Sequence, residues 1–391
     1  MGSVRIYLDY NATTPPLPEV VATVGRVMAA TFGNPSSVHT FGQQAKGELD
    51  LARSAVAALI GAEPSELVFT AGGTESDNLA IRGAAGALEP AGRKHLITTG
   101  IEHEAVLNTM RALERRGWSV TTLSVDQSGI LSPAALEAVI RKDTALVSVM
   151  HANNEIGTIQ PIAELAAVAR RHGAVMHCDA VQSVGKIPVS VKTLGVDLLA
   201  LAGHKFGGPK GTGALWIRRG VRLSAYLTGG KQERNRRAGT ENVPAIAGLG
   251  AAARAAMETG LAAGPSIAAM RDRLETTILA TVAGTAINGD RDRRVPNTSN
   301  ISFEGIEAES LLIALDLEGV AVSTGSACSS GSLEPSHVLK AMGLSQARGR
   351  NSLRFSLGAA TTTDEIDFVA GVLPRLTARL RTLGRAPAAV R

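Results

Sequence analysis

The sequence predicts an α/β fold in which helices wrap a mostly parallel sheet of seven strands, followed by a smaller α+β domain. Between residues 66 and 217, short runs rich in β-branched residues alternate with amphipathic helical patterns, as is typical of parallel sheets covered by helices. Several of these helical patterns end at a glycine suited to a helix C-terminus. After about residue 260, two long helical patterns interleave with short strand-like runs instead.

Seven segments have the length and composition of buried strands. In chain order they are ELVFT, HLITTG, SVTTLSVD, TALVSVMHAN, AVMHCDA, LLALAGH and GALWIRR. The clearest helical patterns are AVLNTMRALERRG, IAELAAVARRHG, PSIAAMRDRLETTILATV and EAESLLIALDLEG. GLGAAA at residue 248 resembles a dinucleotide-binding fingerprint, but no strand precedes this alanine-rich run. We therefore predict a helix there.

The change of pattern near residue 261 predicts three parts of the chain. Residues 15–260 would form a large domain that binds the cofactor, and residues 261–391 a small C-terminal domain. Residues 1–14 would be an N-terminal segment that packs with the small domain.

The composition limits the possible functions. The chain has 391 residues, of which 45% are hydrophobic and 3% aromatic, and its formal net charge is +5. Because this net positive charge is small for the length of the chain and aromatic residues are few, nucleic-acid binding is not favoured. The only two cysteines, Cys178 and Cys328, are too few for a disulfide framework. No signal peptide or membrane span is predicted, so we expect a cytoplasmic protein with free thiols.

Polar residues directly after the predicted strands indicate the position of the site, because ligands of such sheets bind at the carboxyl ends of the strands. AGGTES follows the first strand and opens a helix, so Gly73 and Thr74 could cradle a phosphate at a helix N-terminus. By itself this glycine turn could also be only a turn. No GK[ST] sequence occurs, which excludes a Walker loop.

Lys205 follows a strand and precedes a glycine-rich loop, where its flanks predict partial burial and therefore a nucleophilic amine. With a phosphate cradle and a carboxylate, such a lysine suits pyridoxal 5′-phosphate: the lysine forms a Schiff base, and the acid partners the pyridinium nitrogen. Asp179 could be that acid, Gln182 or Asn154 could bond the ring hydroxyl, and His103 could lie over the ring. A lone histidine in such a loop is more often a structural residue.

The predicted small domain contains one candidate for substrate binding. Alternation in SLRFSLG places Ser352, Arg354 and Ser356 on one face and three apolar residues on the other. Arg354 could bind an α-carboxylate through two parallel hydrogen bonds, or it could be an exposed strand arginine.

Cys328 lies in STGSACSSGS, among small residues only. This composition is compatible with a mobile nucleophile, one half of a disulfide, a metal ligand or a plain loop residue. The lysine and the aspartate favour the nucleophile.

At this point the sequence resembles a known family, the cysteine desulfurases of the NifS/IscS type. The matching segments are YLDYNATTP, NPSSVH, FTAGGTESDNLAI, HANNEIGTIQPI, DAVQSVGKIPV, GHKFGGPKGTGAL, GGKQERNRRAGTEN and TGSACSSGSLEPSHVLKAMG. They extend from residue 7 to residue 358 in the expected order and include the long cysteine loop, at about residues 323–334.

The resemblance implies a fold-type I pyridoxal-phosphate enzyme of the class-V aminotransferase family, with L-cysteine as substrate and alanine as product. Lys205 would form the Schiff base, Asp179 would partner the pyridinium nitrogen, and His103 would stack on the ring and carry a proton. Cys328 would attack the sulfur of the substrate and leave as a persulfide. A selenocysteine lyase, or an aminotransferase or lyase of the same fold, is the alternative, and a catalytically silent pyridoxal-binding protein is another.

The resemblance also implies the remaining contacts. Gly73, Thr74 and His204 would hold the phosphate, and Asn154 and Gln182 would contact the ring hydroxyl or the substrate. Serine is usual two residues before the HK pair as a further phosphate ligand, whereas this chain has alanine there.

Three implied features concern the substrate and the partners. Arg354 would bind the substrate carboxylate, and Thr240 would reach the phosphate of the neighbouring subunit in a homodimer. A sulfur-accepting iron–sulfur scaffold protein would be the partner. The only implied metal ligand is Cys328, through transient iron–sulfur ligation by its persulfide.

Overall fold

The computed structural model describes residues 5–325 and 336–385, and its centre is a seven-stranded sheet. Its strands, in chain order, are β2 (Leu67–Thr70), β3 (His95–Thr99), β4 (Ser119–Leu123), β5 (Thr144–Ser148), β6 (Val175–Asp179), β7 (Leu198–Ala202) and β8 (Gly213–Ile217). Their order across the sheet is β2-β8-β7-β6-β5-β3-β4. Each of the seven predicted strands is present, which confirms this part of the fold prediction.

Helices cover the seven-stranded sheet and form much of the rest of the described chain. They are α1 (Pro18–Ala30), α2 (Thr40–Leu59), α3 (Gly73–Leu88), α4 (Glu104–Glu114), α5 (Pro133–Val139), α6 (Ile162–Arg171), α7 (Val191–Leu194), α8 (Gln232–Asn235), α9 (Val243–Ala255), α10 (Gly264–Thr281), α11 (Ala308–Leu317), α12 (His337–Ala341), α13 (Gln346–Arg350) and α14 (Thr363–Arg385). The four predicted helices correspond to α4, α6, α10 and α11. GLGAAA lies inside α9, as predicted.

The parallel strands bring four loops to one edge of the sheet. β4, β3, β5, β6 and β7 run in the same direction, whereas β8 is antiparallel to both β7 and β2. The carboxyl ends of β3, β5, β6 and β7 therefore point the same way. The segments that follow these ends carry most of the site residues predicted from the sequence.

Two further sheets involve the C-terminal part and the beginning of the chain. β12 (Ser352–Ser356), β10 (Thr298–Phe303) and β9 (Thr285–Ile287) form an antiparallel sheet in that order. β1 (Ile6–Tyr7) pairs in parallel with β11 (Val320–Ala321). Ile6 and Leu8 share an apolar core with residues from α10, α11, α14, β10 and β12.

The helix ends also follow the sequence prediction. Gly117, Gly173 and Gly343 follow helices and have φ between 65° and 85°, a region that favours glycine. None of the helices within 5–325 and 336–385 combines the length and the apolar character needed to cross a membrane. SLEPSHVLKAMG predicts Pro335 in the first turn of a helix, and this residue is outside the described residues.

Candidate active site at the carboxyl edge of the large sheet

Lys205 lies in a short 3-10 turn, Gly203–Lys205, that follows β7 directly. Its Nζ donates hydrogen bonds to the main-chain oxygens of Asn11 at 2.6 Å and Ala12 at 2.9 Å. The amine is thus held at the sheet edge by the N-terminal segment, 193 and 194 residues earlier in the chain. The predicted partial burial of Lys205 agrees with the structure.

Asp179 is the last residue of the neighbouring strand β6, and only 4% of it is exposed. Burial raises the pKa of its carboxyl, while the backbone N–H of Val181, which donates to Oδ1 at 2.9 Å, and the charges of His103 and Lys205 act in the opposite direction. His103 and Lys205 are therefore close enough to act on Asp179 electrostatically. Cys178, one residue earlier, is a buried free thiol in the strand, as predicted.

His103 is the N-cap of α4, and its ring accepts a hydrogen bond at Nδ1 from the backbone N–H of Ala105 at 3.1 Å. Burial lowers the pKa of His103, although Asp179 raises it. A neutral ring that accepts at Nδ1 carries its proton on Nε2. The histidine therefore has a structural role in the helix cap and still presents one N–H, so the two interpretations of His103 are compatible.

The glycine turn before α3 lies against the ends of β6 and β7. A Cβ on Gly73 would be 2.7 Å from Cγ2 of Val181 and 3.7 Å from Cβ of Ala202, so a side chain at this position would intrude between these elements. Thr74 follows in the first turn of α3 and is exposed. The first-turn N–H groups of a helix have no partner within the helix, so this end can bind an anion.

Gln182 and Asn11 form a hydrogen-bonded group beside Lys205. Gln182 donates from Nε2 to the main-chain oxygen of Asn11 at 2.9 Å and accepts at Oε1 from Nζ of Lys186 at 2.6 Å. Lys186 also donates to Oδ1 of Asn11 at 2.7 Å. The sequence alone indicates no role for Asn11 or Lys186. The only signal was the four-residue spacing between Gln182 and Lys186, which is weak without the structure.

Arg354 is buried in β12, with 2% of it exposed, so the alternative of an exposed strand arginine is wrong. Its Nη2 donates to Oδ1 of Asp9 at 2.7 Å, and its Nη1 donates to the main-chain oxygen of Asn154 at 3.0 Å. Its Nε is buried and has no hydrogen-bond partner in the described part of the chain. The expected separation of two faces in this strand is also incomplete, because all five of its residues are buried.

The two asparagines after β5 have different roles. Asn153 is fully buried and accepts at Oδ1 from the backbone N–H groups of Glu155 and Ile156, which makes it part of a turn. Asn154 is only partly buried, and its carbonyl accepts from both Arg354 and Asn11. Asn154 therefore connects the large sheet to β12 through its main chain.

His204 and Thr240 lie in different surroundings. Burial, and then the charge of Lys205, lowers the pKa of His204 to about 4, so its ring is neutral and lies 3.2 Å from Oγ1 of Thr13. Thr240 is exposed and lines a cavity of about 170 Å³ with Thr70, Arg237 and other residues. Thr240 thus lies beside the carboxyl end of β2, whereas Lys205 follows β7.

Cys328 and most of its loop lie outside the described residues. The iron–sulfur ligation expected of Cys328 therefore falls outside them as well. The described residues that flank this loop, Gly325 and Ser336, both lie close to Glu155. A Cβ on Gly325 would lie 2.8 Å from Oε2 of Glu155, and Oγ of Ser336 donates to the same oxygen at 2.5 Å. Between residues 5–325 and 336–385, no group of three or more histidines, cysteines or acidic residues could hold a metal ion.

The edge of the sheet therefore offers one ligand an amine, a buried carboxylate, an anion-binding helix end and an arginine with an unused donor. A compound with a phosphate and a basic ring nitrogen, joined to a carboxylate, could satisfy all four. His103 lies beside these groups and presents an N–H that can take part in proton transfer.

Comparisons with known proteins agree with this arrangement. The family model described as "Aminotransferase class-V" matches residues 6–369. A cysteine desulfurase of Trichormus azollae is 51% identical over 378 residues, which cover 97% of this chain and 94% of that protein. A cysteine desulfurase IscS of Dictyoglomus turgidum is 48% identical over 379 residues, with 97% and 96% covered. A solved NifS-like protein superposes with a TM-score of 0.91 at 36% identity, covering 96% of this chain and all of the other.

Proposed function

Because this chain belongs to the class-V aminotransferase family, we propose that it is a pyridoxal-phosphate-dependent cysteine desulfurase, a sulfurtransferase that converts L-cysteine to L-alanine and leaves a persulfide on Cys328. The resemblance inferred from the motifs is confirmed by the family match and by relatives about half identical in sequence. The observation that carries the proposal is the meeting of Lys205, Asp179 and His103 at one sheet edge, in a chain whose similar relatives are named cysteine desulfurases.

The residues present fit pyridoxal 5′-phosphate. The phosphate would lie at the N-terminus of α3, beside Gly73, Thr74 and His204, where a Cβ on Gly73 would crowd the turn. Lys205 would link to the coenzyme, and the buried Asp179 carboxylate would pair with the ring nitrogen. When bound, the coenzyme supplies an electron sink for the bonds that change at the substrate α-carbon.

The chain's own residues would bind and orient L-cysteine. Arg354 would bind the substrate carboxylate, and its unpartnered Nε supports this role because a buried donor without an acceptor is unfavourable. Asp9 and the carbonyl of Asn154 hold two other nitrogens of the same guanidinium and so fix its plane. The side chains of Asn154 and Gln182 would contact the ring hydroxyl or the substrate.

Proton transfer would use the amine and the imidazole at the sheet edge. Lys205 Nζ would carry the proton to and from the substrate α-carbon. The Nε2 proton of His103, fixed by the bond that Nδ1 accepts from Ala105, would serve the sulfur or the ring oxygen. The Cys328 thiolate would attack the substrate sulfur, so that an S–S bond forms while the carbon–sulfur bond breaks. The electron pair of the broken bond would stay with the substrate β-carbon, which takes up a proton to become the methyl group of alanine.

We also propose that the protein is a cytoplasmic homodimer in which Thr240 reaches the phosphate of the neighbouring subunit. Exposed apolar side chains on and beside the first two helices support a covered surface; they are Val21, Met28, Phe32, Phe41 and Leu51. The exposed position of Thr240 supports the contact between subunits. A sulfur-accepting iron–sulfur scaffold is the proposed partner, with transient cluster ligation by the Cys328 persulfide.

We further propose the division into residues 1–14, 15–260 and 261–391. The apolar core that Ile6 and Leu8 share with the C-terminal helices supports it, and so does the larger core built on the seven-stranded sheet. The N-terminal segment would thus belong to the small domain by packing, although it also contacts Lys205.

The test is the release of alanine and sulfide from L-cysteine in the presence of a reductant. Cys328→Ala should keep the visible absorption of bound coenzyme and lose both products, since only the sulfur acceptor is removed. Cys178→Ala is the matched control and should retain turnover, because this thiol is buried in a core strand. Unchanged alanine and sulfide release by Cys328→Ala would contradict the proposal and favour an aminotransferase or lyase of the same fold.

A further inference from the structure

We propose that Lys186 is a positioning residue, which orients the Gln182 amide and the Asn11 carbonyl so that Gln182 donates to the coenzyme ring and Lys205 has a fixed acceptor. This inference rests on the proposed function, because it deepens the account of the same site. Lys186 follows Gln182 by four residues, in the turn between β6 and α7.

The hydrogen bonds of Lys186 fix which way the Gln182 amide faces. The Gln182 atom that faces the Asn11 carbonyl must be Nε2, because a carbonyl only accepts, and the Gln182 atom 2.6 Å from Lys186 Nζ is therefore the amide oxygen. The Nε2 group of Gln182 then uses one of its two protons on the Asn11 carbonyl, at 2.9 Å. Toward any further ligand Gln182 offers the second N–H, and hence a donor to an oxygen of the coenzyme.

The same amine also fixes the Asn11 side chain. Oδ1 of Asn11 accepts from Lys186 at 2.7 Å and from Nδ2 of Asn297 at 3.0 Å. Nδ2 of Asn11 donates to the carbonyl of Asn154 at 3.0 Å and to Oγ1 of Thr298 at 2.8 Å. Both atoms of the Asn11 amide are thus fully used, and the backbone of Asn11 cannot rotate without breaking these bonds.

The Asn11 carbonyl is the point at which this network reaches Lys205. It accepts from Lys205 Nζ at 2.6 Å and from Gln182 Nε2 at 2.9 Å, and the adjacent Ala12 carbonyl accepts from Lys205 at 2.9 Å. These two carbonyls form a resting position for the Lys205 amine when it is not linked to the coenzyme. Lys186 holds that position through the Asn11 side chain.

The partners of Lys186 suit orientation rather than charge pairing. In the described chain both of its hydrogen-bond acceptors are amide oxygens, and none of the ion pairs includes it. Burial, and then the charges of Lys205 and Arg354, lowers the pKa of the Lys186 amine well below its usual range. Whether charged or neutral, a lysine amine has N–H groups for both oxygens.

The test compares Lys186→Met, which keeps the length and removes the donors, with Lys186→Arg, which keeps the donors. Lys192→Met, at an exposed position in α7, is the matched control. Pyridoxal 5′-phosphate is titrated into each coenzyme-free protein, and its dissociation constant is read from visible absorption. Borohydride trapping followed by mass spectrometry measures the fraction linked to Lys205, and kcat and KM for L-cysteine are measured on the loaded proteins.

Lys186→Met should raise the dissociation constant by about tenfold, which corresponds to the loss of about one oriented hydrogen bond. Lys186→Met should also reduce the fraction of coenzyme trapped on Lys205 and lower kcat by a larger factor than it raises KM. Lys186→Arg should restore most of each of these values. Lys192→Met should have the same values as the wild type. Equal values for the Met variant and the wild type, or for the Met and Arg variants, would overturn the inference. Failure of the wild type to bind pyridoxal 5′-phosphate would refute the proposed function instead.

A second variant decides the case if Lys186→Met does not fold. Gln182→Glu keeps an acceptor oxygen for Lys186, but it removes the N–H that faces the coenzyme and the bond to the Asn11 carbonyl. Coenzyme binding by this variant should weaken by at least about tenfold. Wild-type affinity in Gln182→Glu would overturn the inference.

Discussion

A buried ion pair fixes the segment that carries Thr240, and its removal gives a quantitative prediction. Arg53 in α2 donates from Nη2 to Oε1 of Glu233 at 2.7 Å and from Nη1 to Oε2 at 3.0 Å. Their side chains are 10% and 2% exposed. Glu233 Oε2 also accepts from the backbone N–H of Phe69 at 3.0 Å, which ties the segment to the edge of β2.

The expected loss of stability in Arg53→Met follows from the burial of Glu233, the partner of Arg53. Removing one member of a buried ion pair leaves an uncompensated charge and lowers the free energy of unfolding by about 3–5 kcal/mol. The main chain at Glu233, Arg234 and Asn235, three of the four residues of α8, is left-handed, with φ of 44°, 57° and 62°, so this turn is not a regular right-handed helix. Relaxation of these three residues returns about 1 kcal/mol or more. A net loss of about 3 kcal/mol is therefore expected.

The assay is urea unfolding of the coenzyme-free protein. Arg53→Met is compared with Arg26→Met, which breaks the exposed pair with Glu48 and should lower the free energy of unfolding by less than about 1 kcal/mol. The double variant Arg53→Met/Glu233→Gln should recover part of the loss, because no charge is then left buried. Coenzyme affinity should fall in Arg53→Met if Thr240 reaches the neighbouring phosphate.

The reasoning would be refuted by an Arg53→Met protein that loses no more stability than Arg26→Met. It would also be refuted if the free energy of unfolding lost by the double variant equalled the sum of the losses of Arg53→Met and Glu233→Gln alone, because a coupled pair does not behave additively.

Three further predictions concern the cradle, a buried acid and the flank of the cysteine loop. Gly73→Ala should weaken pyridoxal 5′-phosphate binding by about tenfold, seen by titration, because the added Cβ crowds the phosphate turn. Burial raises the pKa of Glu102 from 4.5 to about 8, so the unfolded state ionises first and the free energy of unfolding falls as pH rises through this range. Urea unfolding at several pH values should show a smaller fall for Glu102→Gln. Ser336→Ala removes a helix cap and a bond to the buried Glu155, whereas Ser345→Ala removes only an exposed helix cap. The midpoint of thermal unfolding should therefore fall further in Ser336→Ala than in Ser345→Ala. Equal shifts of the two midpoints would contradict this prediction.

The sheet and the ends of its strands could be predicted from the sequence because both depend on local patterns. β6 and β7 are continuous apolar runs, so their ends, and with them Asp179 and Lys205, could be placed from a few neighbouring residues. The burial of Arg354 could not be predicted from the sequence, because the alternation in SLRFSLG does not show that Asp9 covers the polar face of the strand.

The network around Asn11 was missed for a similar reason. Its contacts connect positions 143 to 345 residues apart, and no periodic pattern records such distances. A lysine in a turn, such as Lys186, is usually solvated, so its two amide partners become visible only when the N-terminal segment is placed across the sheet edge.

The position of this N-terminal segment has a consequence for the folding of the chain during synthesis. Ile6 pairs with Val320, and the backbone N–H of Asn11 donates to Oγ of Ser356, 345 residues later. The acceptors of Lys205 therefore leave the ribosome long before the strands that hold them, β11 and β12, are made. Since contacts this distant form slowly, the large sheet can assemble first, and the site is completed only after β12 has been made.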